Sequence, residues 1–406
     1  MKNICILTTG VLPVPATKGG AVEGLTELLL EQNERDFRNK FTVISIFDEN
    51  ALIQSKKFNY THFLFIENSK IVNILDRLIS NVTTLLLRKK SSLFNSIFSR
   101  LTFLRKTRKI LLENNFDYIL AENNHSLFLV LKNKRLRKKY LDKFIYHSHN
   151  EPYRDLGCKK IIKKIPKIIC VSEYIKNCYK NRYSLANDQL AILKNGLRIE
   201  DFDRDISENE YLELRKKFGI EKDDFVVVFT GRIIREKGII KVIEAFQKCN
   251  IENKKLLIIG GVFFNTSAKN SVQEEILQMF EENQKPIFTG YINHSELWKY
   301  YKISDVAVLP SLLNESALLT NVEAALCKLP IITTNLGGIT EYINTESALA
   351  LPVDNFLVKK IADELMHLYK NKEQRVQNGL SNYSFAKSFS AEKYYTEFCK
   401  ILEENQ

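Results

Sequence analysis

The stretch FVVVFTGRIIREKG, residues 225–238, begins with six apolar or β-branched residues and continues into a turn that holds three cations. It predicts a buried strand over residues 225–230, followed by a turn and a helix. Short runs of the same kind alternate with helical segments along the chain, which is the pattern of parallel α/β sheets. The other predicted strands are residues 4–9, 41–46, 63–66, 118–121, 144–147 and 168–171 in the first half, and 256–260, 287–289, 306–309 and 331–333 in the second.

The two sets together hold more predicted strands than one doubly wound sheet usually contains. A chain of 406 residues also fits two domains of about 200 residues each better than a single core. The turn dipeptide Asn195-Gly196, followed by an acid-rich stretch at 200–213, marks the boundary. We therefore predict an α/β protein with two Rossmann-like parallel-sheet domains facing a central cleft, residues 1–197 and 198–389. A C-terminal helix at about 390–406 can pack on the first of them.

The composition, 45% apolar and 27% charged residues, is that of a folded globular chain. No secretory signal and no apolar run of about 18 residues is found in the sequence, so we expect a cytoplasmic protein. The seven cysteines are scattered without a Cys-x-x-Cys pair. The one close histidine pair, His147 and His149, has no carboxylate or cysteine cluster beside it at metal-ligand spacing. We therefore predict neither a disulfide framework nor a metal.

Positive charge is concentrated in the first half of the chain. Residues 1–190 hold 33 Lys and Arg against 17 Asp and Glu, net +16, whereas residues 191–406 hold 27 against 31, net −4. Residues 70–110 include ten basic residues and a single acid, Asp76. The ten are Lys70, Arg77, Arg88, Lys89, Lys90, Arg100, Arg105, Lys106, Arg108 and Lys109.

Apolar residues recur at helical spacing in that basic stretch. The predicted stripe consists of Leu93, Phe94, Ile97, Phe98, Leu101 and Leu104. Such a helix either packs on its own sheet with a solvated basic face or lies in the plane of an anionic membrane surface. Nucleic acid is not expected as a partner, because no RNA-binding or DNA-reading signature is present.

The turn after residues 225–230 holds a candidate anion site. Gly231-Arg232 and Lys237-Gly238 place two cations five residues apart, just beyond a strand end and at the entrance to a helix. Ligands of open parallel sheets bind at this edge, and backbone N–H groups and cations there can clamp a diphosphate. An ordinary surface turn is the alternative interpretation.

Two carboxylates follow the predicted strand at 306–309. Glu315 precedes a predicted helix at 320–326, and Glu323 lies inside it. Carboxylates accept bidentate hydrogen bonds from diols, so one can hold a sugar hydroxyl and the other a ribose, while the helix N-terminus favours a phosphate. As an isolated pair, both side chains would more often be solvated.

Taken together, these motifs resemble the retaining GT-B glycosyltransferases of family 4, the glycosyl transferases group 1. The resemblance rests on Gly231-Arg232, Lys237-Gly238, Gly260-Gly261, Asp305, Pro310-Ser311, Glu315, Glu323-Ala324 and Gly337-Gly338-Ile339 with Glu341. It extends to Val171-Ser172-Glu173, Lys194-Asn195-Gly196 and Gly19-Gly20-Ala21, and is weakest at about 50–115.

The resemblance implies a role for each matched residue. Arg232 and Lys237, after Gly231, would neutralise the donor diphosphate, Glu323 would bind the ribose and Glu315 would touch the transferred sugar. The loop at Gly19 and Gly20 would let the backbone approach donor and acceptor closely. His149 would face the reacting sugar, and we expect His147, two residues earlier, to point to the opposite face of its strand. The family's glycine-rich run after the first glutamate is replaced here by Ser316, Ala317, Leu318 and Leu319, which would line the donor site.

The implied function is a metal-independent, retaining hexosyl transfer from a nucleoside-diphosphate sugar, UDP- or GDP-linked, with no cofactor. Residues 1–197 would bind a glycan or lipid-linked acceptor and residues 198–389 the donor, in bacterial surface polysaccharide assembly. The protein would be cytoplasmic or peripheral on the inner face of the plasma membrane. A nucleotide-sugar epimerase or hydrolase of the same fold, and a non-catalytic sugar-nucleotide-binding scaffold, remain the alternatives.

Overall fold

The computed structural model describes residues 1–87, 96–261, 271–280 and 285–404. The chain forms two compact units. The first consists of Met1–Gly196 together with Tyr394–Gln406, and the second of Leu197–Lys393. The division falls after Gly196, one residue before the boundary expected from the Asn195-Gly196 turn.

The first unit contains a seven-stranded parallel sheet in the order β3-β2-β1-β4-β5-β6-β7. Its strands are β1 (Lys2–Leu7), β2 (Asn39–Ile46), β3 (Thr61–Ile66), β4 (Tyr118–Glu122), β5 (Phe144–Ser148), β6 (Lys167–Cys170) and β7 (Leu190–Ile192). The helices of this part of the chain are α1 (Ala21–Asp36), α2 (Glu49–Ser55), α3 (Lys70–Leu87), α4 (Ile97–Glu113), α5 (Lys134–Tyr140), α6 (Lys159–Ile162) and α7 (Glu173–Tyr183).

The second unit contains a six-stranded parallel sheet in the order β10-β9-β8-β11-β12-β13. Its strands are β8 (Phe225–Thr230), β9 (Lys254–Ile259), β10 (Ile287–Gly290), β11 (Val306–Leu309), β12 (Ile331–Thr334) and β13 (Leu349–Leu351). Its helices are α8 (Glu208–Lys217), α9 (Ile239–Lys248), α10 (Ser271–Gln278), α11 (Leu297–Lys302), α12 (Leu319–Leu326), α13 (Leu357–Lys370) and α14 (Lys372–Ala386), and α15 (Ala391–Glu403) ends the described chain.

The residues of β8 explain why that strand lies inside its sheet. Phe225, Val227 and Phe229 are buried in one hydrophobic cluster, whereas Val226 and Val228 are buried in the other. Successive side chains of a strand point to opposite faces, so β8 is covered on both sides, as the strands of a parallel sheet require. The continuous apolar run at 225–229 is the sequence counterpart of this double burial.

The strands β7 and β13 were not predicted. Each has only three residues and each is the outermost strand of its sheet, paired with β6 and β12 respectively. A three-residue run is too short to show the apolar alternation on which a sequence-based assignment depends. The predicted α/β class and the parallel arrangement of both sheets are confirmed.

The tail helix α15 supplies side chains to the core of the first unit. Phe398 is fully inaccessible to solvent, and the other buried apolar side chains of this helix include Tyr394, Tyr395, Ile401 and Leu402. The Tyr395 hydroxyl donates a hydrogen bond to Asn33 Oδ1 over 2.6 Å, and the Phe398 ring lies 6.5 Å from that of Phe41. Residues at the two ends of the sequence therefore share one core.

The described part of the basic stretch at 70–110 folds into α3 and α4, and among these residues only Leu104 of the predicted apolar stripe is on the buried side of its helix. Leu101 is exposed, and the buried side of α4 is formed by Phe103, Leu104, Thr107 and Leu111. Arg88, Lys89 and Lys90 of the basic group, and Leu93 and Phe94 of the stripe, lie outside the described residues. No helix within the described ranges is long and apolar enough to cross a membrane.

Asp76, the single acid of this stretch, caps a helix. Its carboxylate accepts hydrogen bonds from the backbone N–H of Phe98 (2.8 Å) and of Ser99 (2.9 Å), and from the Ser99 hydroxyl. These N–H groups belong to the first turn of α4, which has no intrahelical acceptors for them. Asp76 therefore joins the end of one helix to the side of the other.

We expect Asp76→Ala to destabilise the first unit by about 1–3 kcal/mol, because two half-buried N–H groups lose a charged acceptor. Thermal unfolding should shift down by roughly 2–4 °C for each kcal/mol. Asp142→Ala, which removes an exposed acid of the same unit, is the matched control and should leave the transition within about 0.5 kcal/mol. Equal effects of both substitutions would contradict the capping role.

Candidate active site

The loops that follow β8, β9, β11 and β12 meet at one edge of the second sheet, where these strands are neighbours. The loop after β8 is held against β9: Gly231 N–H donates to the Ile259 carbonyl over 3.0 Å, and Ile233 N–H donates to the Gly261 carbonyl over 3.1 Å. A side chain at Gly260 would overlap the Gly231 carbonyl. The glycines thus allow two backbones to pack at the ligand-binding edge of a parallel sheet.

Gly238 makes the same kind of close approach to the loop after β11. It has a φ of +78°, and a Cβ there would overlap the Pro310 carbonyl oxygen. The Leu312 N–H donates a hydrogen bond to the Glu236 carbonyl over 2.8 Å, which ties the two loops together. The segment 235–238 is consequently fixed beside the segment 310–315.

This loop contact brings together two of the residues predicted for the site. Lys237 Nζ lies 2.6 Å from Glu315 Oε1, and both side chains are about 17–18% exposed. The Ser311 hydroxyl donates to the same oxygen over 2.6 Å. A half-buried ion pair with an additional hydrogen bond is held in one geometry more firmly than a surface pair.

The backbone of Glu315 is fixed as well. Its carbonyl accepts a hydrogen bond of 2.6 Å from Gly338 N–H. Gly337 has a φ of +61°, and a Cβ at that position would overlap Glu315. The predicted Gly337-Gly338 motif therefore buttresses the first glutamate, which explains why it belongs to the same sequence signature.

Arg232 differs from Lys237 in its surroundings. Its side chain is exposed, and within the described ranges it makes no ion pair. Arg235, three residues later, pairs instead with Glu275 at 2.5 Å. Of the three cations in this turn, Arg232 is the one for which no ion pair is found among the described residues.

Glu323 is buried on α12 and is paired with a histidine. Its Oε1 lies 2.9 Å from Nε2 of His294, which follows β10. Burial alone would lower the pKa of His294, but the Glu323 carboxylate outweighs this effect and raises it. Sequence analysis missed His294, because 29 residues separate it from Glu323 and only its place after a predicted strand marked it.

The segment Ser316–Leu319, which replaces the family's glycines, lies partly in the hydrophobic core. Leu318 is buried in the hydrophobic cluster on one face of the sheet, and Ala317 and Leu319 pack against that cluster. Ser316 is half-buried at the start of the segment. The bulk of Leu318 is therefore accommodated in the interior of the unit.

In the first unit the predicted glycine loop ends at α1. Gly19 and Gly20 have φ of +74° and +102°, and a side chain at Gly20 would overlap the carboxylate of Glu23. Glu23 is buried and accepts a hydrogen bond of 2.5 Å from Thr9 Oγ1, two residues beyond the end of β1. Burial raises the pKa of Glu23, although the Thr9 hydrogen bond opposes the shift.

His149 is buried just beyond β5, next to an acid that sequence analysis missed. Its Nε2 lies 3.4 Å from Glu122 Oε2, and His147 Nδ1 lies 3.2 Å from the same oxygen. The expectation that His147 faces the opposite side was wrong. Residues two apart on a strand share a face, and here the two rings are 4.2 Å apart.

The electrostatic environment gives the acid and His149 of this cluster different charge states. Burial alone would raise the pKa of the Glu122 carboxyl, but the two neighbouring imidazoles outweigh it and lower the pKa. Burial, aided by the proximity of His147, lowers the pKa of His149. His149 is therefore a neutral imidazole at neutral pH, and Glu122 is ionised.

Two family models match consecutive parts of the chain. "Glycosyltransferase Family 4" matches residues 81–201, and "Glycosyl transferases group 1" matches residues 210–383. The two matches leave only a short interval between them, so together they cover most of the chain.

Individual proteins agree with the models. The uncharacterized glycosyltransferase MJ1607 of Methanocaldococcus jannaschii is 27% identical over 44% of this chain and 45% of its own length. The lipopolysaccharide 1,2-N-acetylglucosaminetransferase of Salmonella typhimurium is 26% identical over 55% of this chain and 56% of its own. The chain thus spans about half the length of these two relatives.

A solved structure extends the likeness to the whole fold. HepE (Alr3699) of Anabaena, crystallised with UDP-glucose, superposes with a TM-score of 0.71 at 16% identity, covering 99% of this chain and 100% of its own. Its fold is that of the two parallel-sheet units described above. The two family matches and this architecture lead to one conclusion: the chain belongs to the family 4 glycosyltransferases, which have the GT-B fold.

Proposed function

We propose that the protein is a retaining hexosyltransferase that moves a sugar from a nucleoside-diphosphate sugar to a hydroxyl of a glycan or lipid-linked acceptor. The observation that carries this proposal is that Arg232 and Lys237 follow β8 and Glu315 follows its neighbour β11, where Lys237 pairs with Glu315. Glu323 lies on α12, the next helix after Glu315. Cations for a diphosphate and carboxylates for sugar hydroxyls are the chemistry that a nucleotide-sugar donor requires.

Arg232 and Lys237 would act on the leaving group. As the bond to the transferred sugar breaks, negative charge grows on the diphosphate, and preorganised cations stabilise that charge more in the transition state than in the ground state. Lys237 is already oriented by Glu315, whose Oε1 also accepts a hydrogen bond from the Ser311 hydroxyl. Two cations and the N-terminus of α12, which is nearby in sequence, would neutralise the diphosphate without a metal ion. The leaving phosphate itself would accept the proton of the acceptor hydroxyl.

Glu323 would hold the ribose and Glu315 the transferred sugar. The 2.9 Å contact with His294 orients the Glu323 carboxylate, so that its remaining acceptor capacity faces a diol in one geometry. Glu315 is oriented through both its side chain and its backbone. A UDP-linked donor is supported by the likeness to HepE, which was solved with UDP-glucose, and a GDP-linked donor is the other candidate.

The first unit, with Gly19, Gly20 and His149, would receive the acceptor. Its net positive charge favours an anionic or lipid-linked glycan, as in bacterial surface polysaccharide assembly. The likeness to the Salmonella lipopolysaccharide transferase supports this class of acceptor. We place the protein in the cytoplasm, on the inner face of the plasma membrane.

Membrane contact is supported by the surface of α3. Ile71, Ile74, Leu75 and Leu78 follow the helical spacing i, i+3, i+4, i+7, and their exposed fractions are 69%, 55%, 37% and 54%. They form an apolar stripe in contact with solvent, which is typical of a helix that lies in a lipid interface.

Basic residues flank this stripe. Lys70 and Arg77 each stand one position before a stripe residue, hence about 100° away around the helix, and both are exposed. Arg105 and Lys109 of α4 are exposed as well, whereas Lys106 and Arg108 donate to the carbonyls of Glu67 and Leu129. Each exposed cation near an anionic lipid surface contributes about 1 kcal/mol.

We expect Lys237→Ala and Glu323→Ala each to lower kcat/KM by at least about 100-fold, because each removes a charged group that contacts the donor. The measurement is product analysis by mass spectrometry with a panel of UDP- and GDP-sugars and lipid-linked acceptors. Arg235→Ala is the matched control: it removes a cation of the same turn that pairs with Glu275, and it should retain activity.

Wild-type turnover in both site variants would refute the assignment. Release of free sugar without a glycosylated product would favour a hydrolase, and donor binding without any turnover would favour a scaffold.

We expect the purified protein to float with liposomes that contain anionic lipid, and not with zwitterionic liposomes. Ile71→Ser combined with Leu78→Ser should abolish flotation, and Arg77→Glu combined with Arg105→Glu should weaken it in a salt-dependent way. Leu212→Ser, an exposed apolar residue on α8, is the control. Flotation that none of these variants alters would exclude the α3 surface.

A further inference from the structure

Arg100 places a cation at one edge of the first sheet. It belongs to α4, and its guanidinium reaches two loops that follow strands: Nη1 donates to the Thr9 carbonyl after β1, and Nε donates to the Ser126 hydroxyl after β4. The strands β1 and β4 are parallel neighbours. Both loops therefore lie at the edge where ligands of a parallel sheet bind.

The guanidinium is held in one position by its surroundings. Gly10 has a φ of +67°, and a Cβ there would overlap Arg100 Nη1. The Phe103 ring lies 5.4 Å from Arg100 Cζ, and Asn124 Nδ2 donates to the same Thr9 carbonyl over 3.0 Å. The cation is consequently a fixed part of this edge.

No acid balances the charge of Arg100. Within the described ranges its guanidinium makes no ion pair, and its Nη2 atom is buried without a hydrogen-bond partner. Burial lowers the pKa of Arg100 to about 10, although Tyr153 and Tyr146 oppose the shift, so the side chain is still charged at neutral pH. A partly buried cation is costly unless an anion accompanies it, and two hydrogen bonds between loops do not require a charge.

The loop after β5 adds an aromatic side chain to the same edge. Tyr153 is 62% exposed, and its ring lies 5.2 Å from that of His125, which is buried with Nδ1 unpartnered among the described residues. The Tyr153 carbonyl accepts a hydrogen bond of 3.1 Å from Arg182 Nη2, which anchors the loop. An anchored aromatic ring that is open to solvent can pack against the apolar face of a sugar.

We propose that this edge of the first unit binds an acceptor sugar that carries a phosphate or carboxylate group, with Arg100 as the specificity-determining residue and Tyr153 as the packing surface. The proposal rests on the transfer reaction proposed above and names the class of its acceptor. His149, which would face the reacting sugar, follows the same strand as Tyr153.

The preference for a charged sugar follows from the chemistry of Arg100. Guanidinium groups form strong charge-assisted hydrogen bonds with phosphate and carboxylate oxygens. The anion need not touch the guanidinium, because Coulomb attraction acts across several ångströms in a partly buried site. A neutral sugar gains nothing from this charge, so the two classes of acceptor differ in affinity.

The test measures binding to the full chain by isothermal titration calorimetry without donor. The probes are glucose 6-phosphate, glucuronic acid and glucose, so that the two charged sugars show which oxyanion is preferred. We expect at least one charged sugar to bind at least about 10-fold more tightly than glucose. Arg100→Gln should remove this difference, whereas Tyr153→Ala should weaken charged and neutral sugars by similar factors. Arg135→Gln, at an exposed cation of α5, is the matched control and should change neither.

A sugar phosphate can also bind at the candidate donor site, so each titration is repeated in the Lys237→Ala background. Binding that Lys237→Ala abolishes and Arg100→Gln retains would overturn the proposal, as would equal affinities of all three sugars for the wild type. Circular dichroism establishes that the variants are folded. If Arg100→Gln does not fold, Arg100→Lys and the ionic-strength dependence of wild-type binding replace it: charged sugars whose affinity responds to neither would contradict the role of Arg100. No donor and no turnover are involved, so failure of the proposed transfer would not affect the result.

Discussion

The candidate donor site depends on one close approach of two backbones. Gly238 packs against the Pro310 carbonyl so tightly that no side chain fits between them. This contact brings the loop after β8 to the loop after β11, and only then can Lys237 reach Glu315. The charge pair is therefore a consequence of backbone packing. Gly337 makes a second close approach of this kind, because a Cβ at that position would overlap the backbone of Glu315.

Much of this arrangement could be predicted from the sequence because strand order determines it. In a parallel sheet every loop that follows a strand lies at the same edge, so Arg232, Lys237 and Glu315 could be assigned to one site from their places in the chain. The strands of the two sheets could be predicted from continuous apolar runs, because a strand that is buried on both faces has few polar residues to interrupt it.

What the sequence did not reveal were contacts between side chains on different strands. Pairing of His294 with Glu323, and of Glu122 with His147, depends on which strands are neighbours and in what register. Neither is visible in local spacing. The exposed stripe of α3 was missed for another reason: its residues have helical spacing like those of a packed helix, and only the structure shows that nothing in the described chain covers them.

The first unit draws its core from two segments of the chain, one before and one after the second unit. Phe398 and Tyr395 of α15 are buried beside residues of the first fifty positions, and Tyr395 bonds Asn33. Protein synthesis is vectorial, so the ribosome must make the whole second unit before these aromatic side chains exist. The second unit can complete its folding first, while the first waits with part of its apolar surface exposed. In this protein, residues translated after the second unit complete the core of the first.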